Sequence, residues 1–276
     1  MCSFKGNGFC FPLGRRTYIM GILNITPDSF YDGGEYNTPE RAVEHAIRLE
    51  REGADIIDVG ANSTRPGAEI LSAKKEAEII KAFLPSIVNA VSVPVSVDTF
   101  YPEVAELALN IGARIINDVS GRVSPEMTEI IGKYNAGLVV MHNPLFSSSE
   151  AGDYSPEGGA VNAVKAFFEK AEAELISAGI SREQLLFDTG IGFSKSAEDN
   201  LELIRKLSQL SHGRALLTAL SNKRMTVVDE NMTKEERLYS TVAADTLAIV
   251  GGTDFIRVHN VRQAKLAAEM ADRIVR

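Results

Sequence analysis

Cysteine is almost absent. Cys2 and Cys10 are the only two, and both lie in the N-terminal arm. No disulfide framework is expected, and a reducing cytoplasm is the expected compartment. No uninterrupted apolar run approaches the ~18 residues needed to span a bilayer. The opening Met1-Cys2-Ser3-Phe4-Lys5 is too polar for a secretory signal. Positive charge is in deficit: the formal net charge is −8. That argues against a general nucleic-acid surface, though a local anion site needs only a few basic groups and backbone amides. No Gly-x-x-x-x-Gly-Lys-Ser/Thr loop is present, no Gly-x-Gly-x-x-Gly follows the first strand, and no zinc or iron–sulfur spacing occurs.

What is present is a repeat. The 276 residues are 45% hydrophobic and carry no long low-complexity linker, so one domain over residues 1–276 is the simplest organisation. After an arm with a hairpin signal at Gly6-Asn7-Gly8, the first strong strand is Tyr18–Ile22. Short apolar strands then alternate with amphipathic helices. Strands are expected at Asp55–Val59, Pro94–Val97, Arg114–Ile116, Gly137–Met141, Leu185–Phe187, Leu216–Leu220 and Phe255–Val258. Helices are expected at Pro39–Glu52, Ser72–Val91, Tyr101–Asn110, Ser124–Tyr134, Gly159–Ala178, Ala197–Leu207, Lys234–Val250 and Val261–Val275. The Ser-, Gly- and Pro-rich stretch Asn143–Gly158 reads as a long loop. About eight strand–helix units give an α/β fold, a single (β/α)8 TIM barrel with a short N-terminal arm or hairpin. A doubly wound open sheet is the alternative.

In such a barrel the chemistry sits at the C-terminal ends of the strands. Nearly every strand here ends on a polar group: Asn24, Asp58, Asp98, Asn117-Asp118, His142, Asp188, Ser221 with Lys223, and Arg257 with His259. Asp98 and Asp188 with the amide of Asn117 could bind a planar heterocycle carrying amidine-like N–H donors. Arg65, Arg257 and His259 could hold an anion such as phosphate. Asn24 is an oxygen-type ligand suited to Mg²⁺ that bridges to phosphate oxygens. Asp58 sits inside an apolar strand, where a carboxylate is costly unless paired or functional. It is either a catalytic group or an acid that orients Arg65 or a loop. His45 and His212 are expected to be solvated.

Several long motifs, in order, resemble the dihydropteroate synthase family. They are Met20-Gly-Ile-Leu-Asn-Ile-Thr-Pro-Asp-Ser-Phe-Tyr-Asp-Gly-Gly34, Gly53–Ala68 with Ser63-Thr64-Arg65-Pro66-Gly67, and Pro94–Thr99. Gly112–Gly121, Asp188–Phe193 and Ile256–His259 extend the likeness. The resemblance implies a transferase of folate biosynthesis: p-aminobenzoate displaces pyrophosphate from a hydroxymethyl-dihydropterin to give 7,8-dihydropteroate. It implies that Asp98, Asn117, Asp188 and Lys223 hold the pterin, with Met141 and Arg257 on its faces. Asn24, Thr64, Arg65, Arg257 and His259 would bind pyrophosphate, with Mg²⁺ near Asn24. Phe30, Pro66, Phe193 and the backbone beside Lys223 and Arg224 would shape the p-aminobenzoate pocket. Arg65, Lys223, Arg257 and His259 are the residues expected to carry the catalysis. The loops at 25–36 and 62–68 are expected to close over pyrophosphate. The resemblance also implies a homodimer acting on small-molecule substrates, with no nucleic acid or membrane partner.

The chain departs from the family pattern at Ala61-Asn62, Asn143, Thr189, Asn222 and Asn260, each beside an expected contact residue. Two alternatives follow: a pterin-binding homologue without synthase activity, and a methyltransferase acting on methyltetrahydrofolate. The second would not need Ser63-Thr64-Arg65-Pro66 as an anion loop.

Overall fold

Each short apolar run becomes a parallel strand, and each amphipathic stretch after it a helix. A computed structural model describes residues 3–25, 38–62, 70–146, 148 and 150–276. An antiparallel hairpin, β1 (Ser3–Gly6) and β2 (Phe9–Pro12), precedes the barrel. The barrel strands are β3 (Tyr18–Asn24), β4 (Ile56–Gly60), β5 (Val95–Asp98), β6 (Ile115–Asp118), β7 (Gly137–Met141), β8 (Leu185–Asp188), β9 (Ala215–Thr218) and β10 (Phe255–Val258). They pair in sequence order, and β10 closes on β3 with Phe255 opposite Tyr18 and Arg257 opposite Met20. The helices are α1 (Pro39–Glu52), α2 (Ala73–Ala90), α3 (Pro102–Ile111), α4 (Pro125–Tyr134), α5 (Ala160–Ser177), α6 (Ala197–Arg205), the single turn α7 (Ser208–Ser211), α8 (Lys234–Val250) and α9 (Val261–Val275). The closed parallel barrel is the expected fold, not the open sheet.

Local chemistry places the boundaries. Thr38 accepts from the Arg41 amide and is followed by Pro39 at the start of α1. Thr233 and Glu236 cap α8 reciprocally. β3 runs past Ile22 because its ladder continues to Asn24 opposite Gly60. The Ile25 amide then bonds the Gly60 carbonyl at 2.9 Å. β9 lies one residue earlier than expected and stops at Thr218, since Ala215–Leu220 is uniformly apolar apart from that threonine. α6 ends at Arg205, with Lys206 as its cap.

Strand alternation divides the core. Ile19, Leu23, Ile57, Val59, Val97 and Ile256 face outward and pack beneath the helices. Their neighbours Tyr18, Met20, Ile56, Val139, Leu186 and Phe255 fill the barrel interior, joined by Phe4 and Phe9 of the hairpin. The hairpin therefore plugs the lower end. The Phe4 ring stands edge-on to Phe255 at 5.6 Å, and Phe11 lies 4.9 Å from Tyr18. Gly137 permits this seat: a Cβ there would lie 2.8 Å from ring atoms of both Phe4 and Phe9. His45, expected in solvent, is instead buried on the inner face of α1. Burial and the neighbouring Arg48 push its imidazole down to about 4, so it is neutral.

One buried group is at odds with this core. Asp245 on α8 is 1% exposed, and neither carboxyl oxygen has a hydrogen-bond partner among the described residues. Burial alone pushes the carboxyl up from 3.8 to about 8. Between pH ~4 and ~8 the native state holds a proton that the unfolded chain has released, so stability falls as pH rises through that window. We expect Asp245→Val to be more stable than the parent at pH 8 by about 1–3 kcal/mol. Urea denaturation at pH 5 and pH 8 should show a smaller pH dependence in the variant; an unchanged slope would mean that Asp245 does not carry it.

Candidate active site

The apolar filling of the barrel gives way to polar groups one layer before the strands end. Asn24, Gly60, Asp98 and Asn117 stand side by side in register across β3, β4, β5 and β6. Gly60 leaves a gap between its neighbours. A Cβ there would sit 3.6 Å from Asn24 Oδ1 and 3.6 Å from Asp98 Cβ. Met141 and Asp188 are paired in register on β7 and β8.

Arg257 reaches into this layer from β10. Its Nε donates to Asp58 Oδ2 at 2.6 Å and its Nη2 to Asp98 Oδ2 at 2.9 Å. The Asn117 amide donates to the same Asp58 oxygen at 3.1 Å. Asp58 is fully buried and thus orients Arg257 and Asn117. Burial works against the guanidinium, but the two carboxylates outweigh it and hold Arg257 charged. Burial pushes the Asp98 carboxyl up, Arg257 pulls it back, and Asp58 adds to the rise. Both acids turn acceptor oxygens to one guanidinium, and this acceptor-rich floor suits a ligand edge rich in N–H donors.

Asp188 accepts from the Gly190 amide at 2.7 Å. Burial raises its carboxyl, and nearby Lys223 opposes the rise. Burial pushes the Lys223 ammonium down to about 8, with Asp188 opposing. Lys223 Nζ donates to the Ile191 carbonyl and lies 4.7 Å from the Phe193 ring centroid. At Gly192, φ is +83° and a Cβ would lie 3.0 Å from Lys223 Cδ, so only glycine lets this loop rest against the lysine stem.

Ser221 anchors His259. Its Oγ accepts from the His259 backbone amide at 3.3 Å and lies 3.0 Å from His259 Nδ1. The hydroxyl keeps a second lone pair and its proton, so it can accept from Nδ1–H or donate to Nδ1 as the tautomer requires.

Asn24, Asp98, Asn117, Met141, Asp188, Phe193, Lys223, Arg257 and His259 therefore share one end of the barrel. Phe30, Thr64, Arg65 and Pro66 lie outside the described residues, as do most of the two loops expected to close. His142 does not join the mouth. It is buried between Phe167, edge-on at 5.3 Å, and Tyr154 at 5.8 Å. Burial and nearby Lys195 push its imidazole down to about 3.

Four of the six departures have local explanations. The Asn62 amide holds both the carbonyl and the amide of Leu71 and donates to buried Glu76 at 3.0 Å. Asn143 ties the Val119 carbonyl to Ser194 Oγ. Asn222 sits at φ +58°, a conformation asparagine tolerates better than arginine. Ala61 is packed in the outer core. Nothing in the structure explains Thr189 or Asn260. Sequence reasoning missed Lys195, Ser194 and Asn200, which brace the loop after β8. A lysine two residues past a glycine-rich loop reads as solvated, and no local signal says otherwise.

A family model described as pterin binding enzyme matches residues 20–259. The dihydropteroate synthase of Clostridium beijerinckii is 40% identical over 269 residues, covering 96% of this chain and 97% of that protein. Among solved structures, the Xanthomonas albilineans dihydropteroate synthase with 4-aminobenzoic acid has a TM-score of 0.89 at 35% identity, covering 99% of this chain and 97% of that one. The same enzyme in complex with 7,8-dihydropteroate has a TM-score of 0.85 at 33% identity, covering 99% and 98%.

The buried acid under Arg257 yields a test. Asp58→Ala leaves the guanidinium and the Asn117 amide without their shared acceptor, and we expect a loss of about 3–5 kcal/mol in chemical denaturation. Asp58→Asn keeps an acceptor oxygen and should lose less. A loss below ~1 kcal/mol in the alanine variant would mean the pair is not needed to hold the barrel interior.

Proposed function

Because the chain belongs to the pterin-binding enzyme family, we infer that it catalyses the dihydropteroate synthase reaction. It is a transferase: the amine of p-aminobenzoate displaces pyrophosphate from 6-hydroxymethyl-7,8-dihydropterin pyrophosphate, giving 7,8-dihydropteroate. The observation that carries this reading is the polar layer around Arg257, which gathers Asp58, Asp98 and Asn117 beside Asp188 and Lys223 at one mouth.

The residues divide the work. Asp188 and Asp98 accept N–H groups from the pterin edge, Asn117 offers one donor and one acceptor, and Lys223 donates to the pterin carbonyl oxygen. Met141 and Arg257 flank the ring. The C–O bond to pyrophosphate breaks with its electron pair leaving on the phosphate. The amine lone pair then forms the C–N bond, and the surplus amine proton passes to water. An aniline nitrogen needs no strong general base. The catalytic demand is to stabilise the departing anion and exclude water. Thr64, Arg65, Arg257 and His259 meet that anion. Phe30, Pro66 and Phe193 shape the p-aminobenzoate pocket.

Asn24 supplies a neutral oxygen donor beside the Asp98 side chain. Among the described residues, no group of three or more His, Cys, Asp or Glu side chains converges to hold a metal. That donor set fits Mg²⁺ taking most of its ligands from phosphate oxygens and water, where the ion would neutralise the leaving charge.

We place this activity in a single pterin-binding barrel domain working in the cytoplasm; no described helix is long and apolar enough to cross a membrane. We also propose a homodimer. Leu247 and Val250 on α8 are 60% and 58% exposed, and Leu266, Met270 and Ile274 on α9 are 50%, 58% and 72% exposed. The two helices pack together, and we assign these exposed apolar side chains to the surface that meets a second copy.

Incubating the protein with the dihydropterin pyrophosphate, p-aminobenzoate and Mg²⁺ should yield dihydropteroate and pyrophosphate. Pterin binding without product would overturn the synthase reading in favour of a non-catalytic homologue. Arg65→Ala should lower kcat by about 10²–10³ while leaving pterin affinity within a few-fold. An equal fall in both would remove Arg65 from the pyrophosphate site.

A further inference from the structure

We propose that Lys195 is a positioning residue for this site, a cation that clamps the loop after β8 to the end of β7 and so fixes Phe193 and Lys223. The proposal rests on the synthase reading, which supplies the substrates of the test.

Lys195 is 9% exposed. Its Nζ donates to the carbonyls of His142 at 3.1 Å, Gly190 at 2.9 Å and Phe193 at 3.1 Å. An ammonium has three N–H groups, and all three are used. No carboxylate forms a direct ion pair with it among the described residues, so its contacting partners are backbone carbonyls, with Asp188 and Asp199 acting from further off. A buried lysine in that state is costly, and fastening a loop does not demand one. Asn200 holds the Gly192 amide in the same loop at 2.7 Å without any charge. What requires a cation is the convergence of three carbonyl oxygens. At Gly190 a Cβ would lie only 2.0 Å from the His142 carbonyl oxygen, so the loop lies directly on the end of β7. Without the ammonium, those oxygens would face each other with no donor between them.

The clamped loop carries much of the mouth's geometry. Its Gly190 amide holds Asp188, its Ile191 carbonyl holds Lys223, and its Phe193 ring lies under the Lys223 ammonium. Lys195 acts through these groups. Burial pushes its ammonium down to about 7, opposed by Asp188 on β8 and Asp199 on α6 and assisted by Lys223 after β9. The neutral His142 imidazole faces it from the end of β7. Loss of the proton leaves one carbonyl unpaired, so the clamp loosens as pH rises through this range.

The test uses Lys195→Met, which keeps the stem and removes the donors, and Lys195→Gln, which restores two N–H groups. At pH 6.5 we expect Lys195→Met to raise the KM for p-aminobenzoate about tenfold and, through Asp188 and Lys223, to weaken affinity for the dihydropterin pyrophosphate by a smaller factor. Hydrogen exchange at the amides of residues 190–194 should accelerate at least tenfold while the barrel strands keep their protection, and Lys195→Gln should recover part of it. In the parent, KM for p-aminobenzoate should rise between pH 6.5 and 8.5, and in Lys195→Met the rise should be smaller, keeping only the part that Lys223 carries. Parent-like loop exchange in Lys195→Met overturns the proposal, as does a uniform loss of protection across the barrel, which marks a merely structural lysine. A parent protein that makes no dihydropteroate removes the synthase reading instead; loop exchange, which needs no turnover, still decides the role of Lys195.

Discussion

The pairing of one guanidinium with two acids inside the barrel is the constraint on which the mouth depends. Arg257 bridges Asp58 on β4 and Asp98 on β5 from the opposite edge of the closure, and Asn117 on β6 leans on the same Asp58 oxygen. The contacts link four of the eight strands at one height. They also decide what the interior can be. Below this height the side chains are apolar and interlock with the hairpin aromatics. Above it they are charged or amide-bearing and buried at the same time. A barrel closed on eight parallel strands supplies the rigid frame that such a costly arrangement needs.

The mouth is electrostatically graded. Around Arg257 acceptor oxygens predominate, which suits the donor-rich edge of a heterocycle. Toward Lys223 and His259 the balance shifts to donors, which suits phosphate and carbonyl oxygens. The loop after β8 lies between the two halves. It is built from glycines that allow close approach and is tied down by Lys195, by the Ser194 hydroxyl bonded to Asn143 and by Asn200 on α6.

Much of this was legible before any coordinates. Helices α1 and α8 fall at their expected bounds, and α1 begins at the cap Thr38 because capping is local chemistry. The ring of strand-end polar groups followed from strand period and topology. The meaning of Asp58 did not: its partner Arg257 is 199 residues away, and only closure of β10 on β3 brings them together. His45 and His142 look like solvated or catalytic histidines in sequence, and they are neutral core groups because helix packing, not local pattern, buries them. Lys195 was invisible for the same reason, since its three acceptors are backbone carbonyls that carry no sequence identity.

The plug at the lower end has a consequence in time. Phe4 and Phe11 find their seats against Phe255, and Thr17 is held by Asp272, 255 residues further along the chain. The Arg276 guanidinium in turn reaches back to the Arg16 carbonyl at 2.9 Å. The hairpin thus settles only after β10 and α9, far along the chain, have been made. Contacts of such long sequence separation slow folding, and until they form the growing barrel stands open at both ends with its interior exposed.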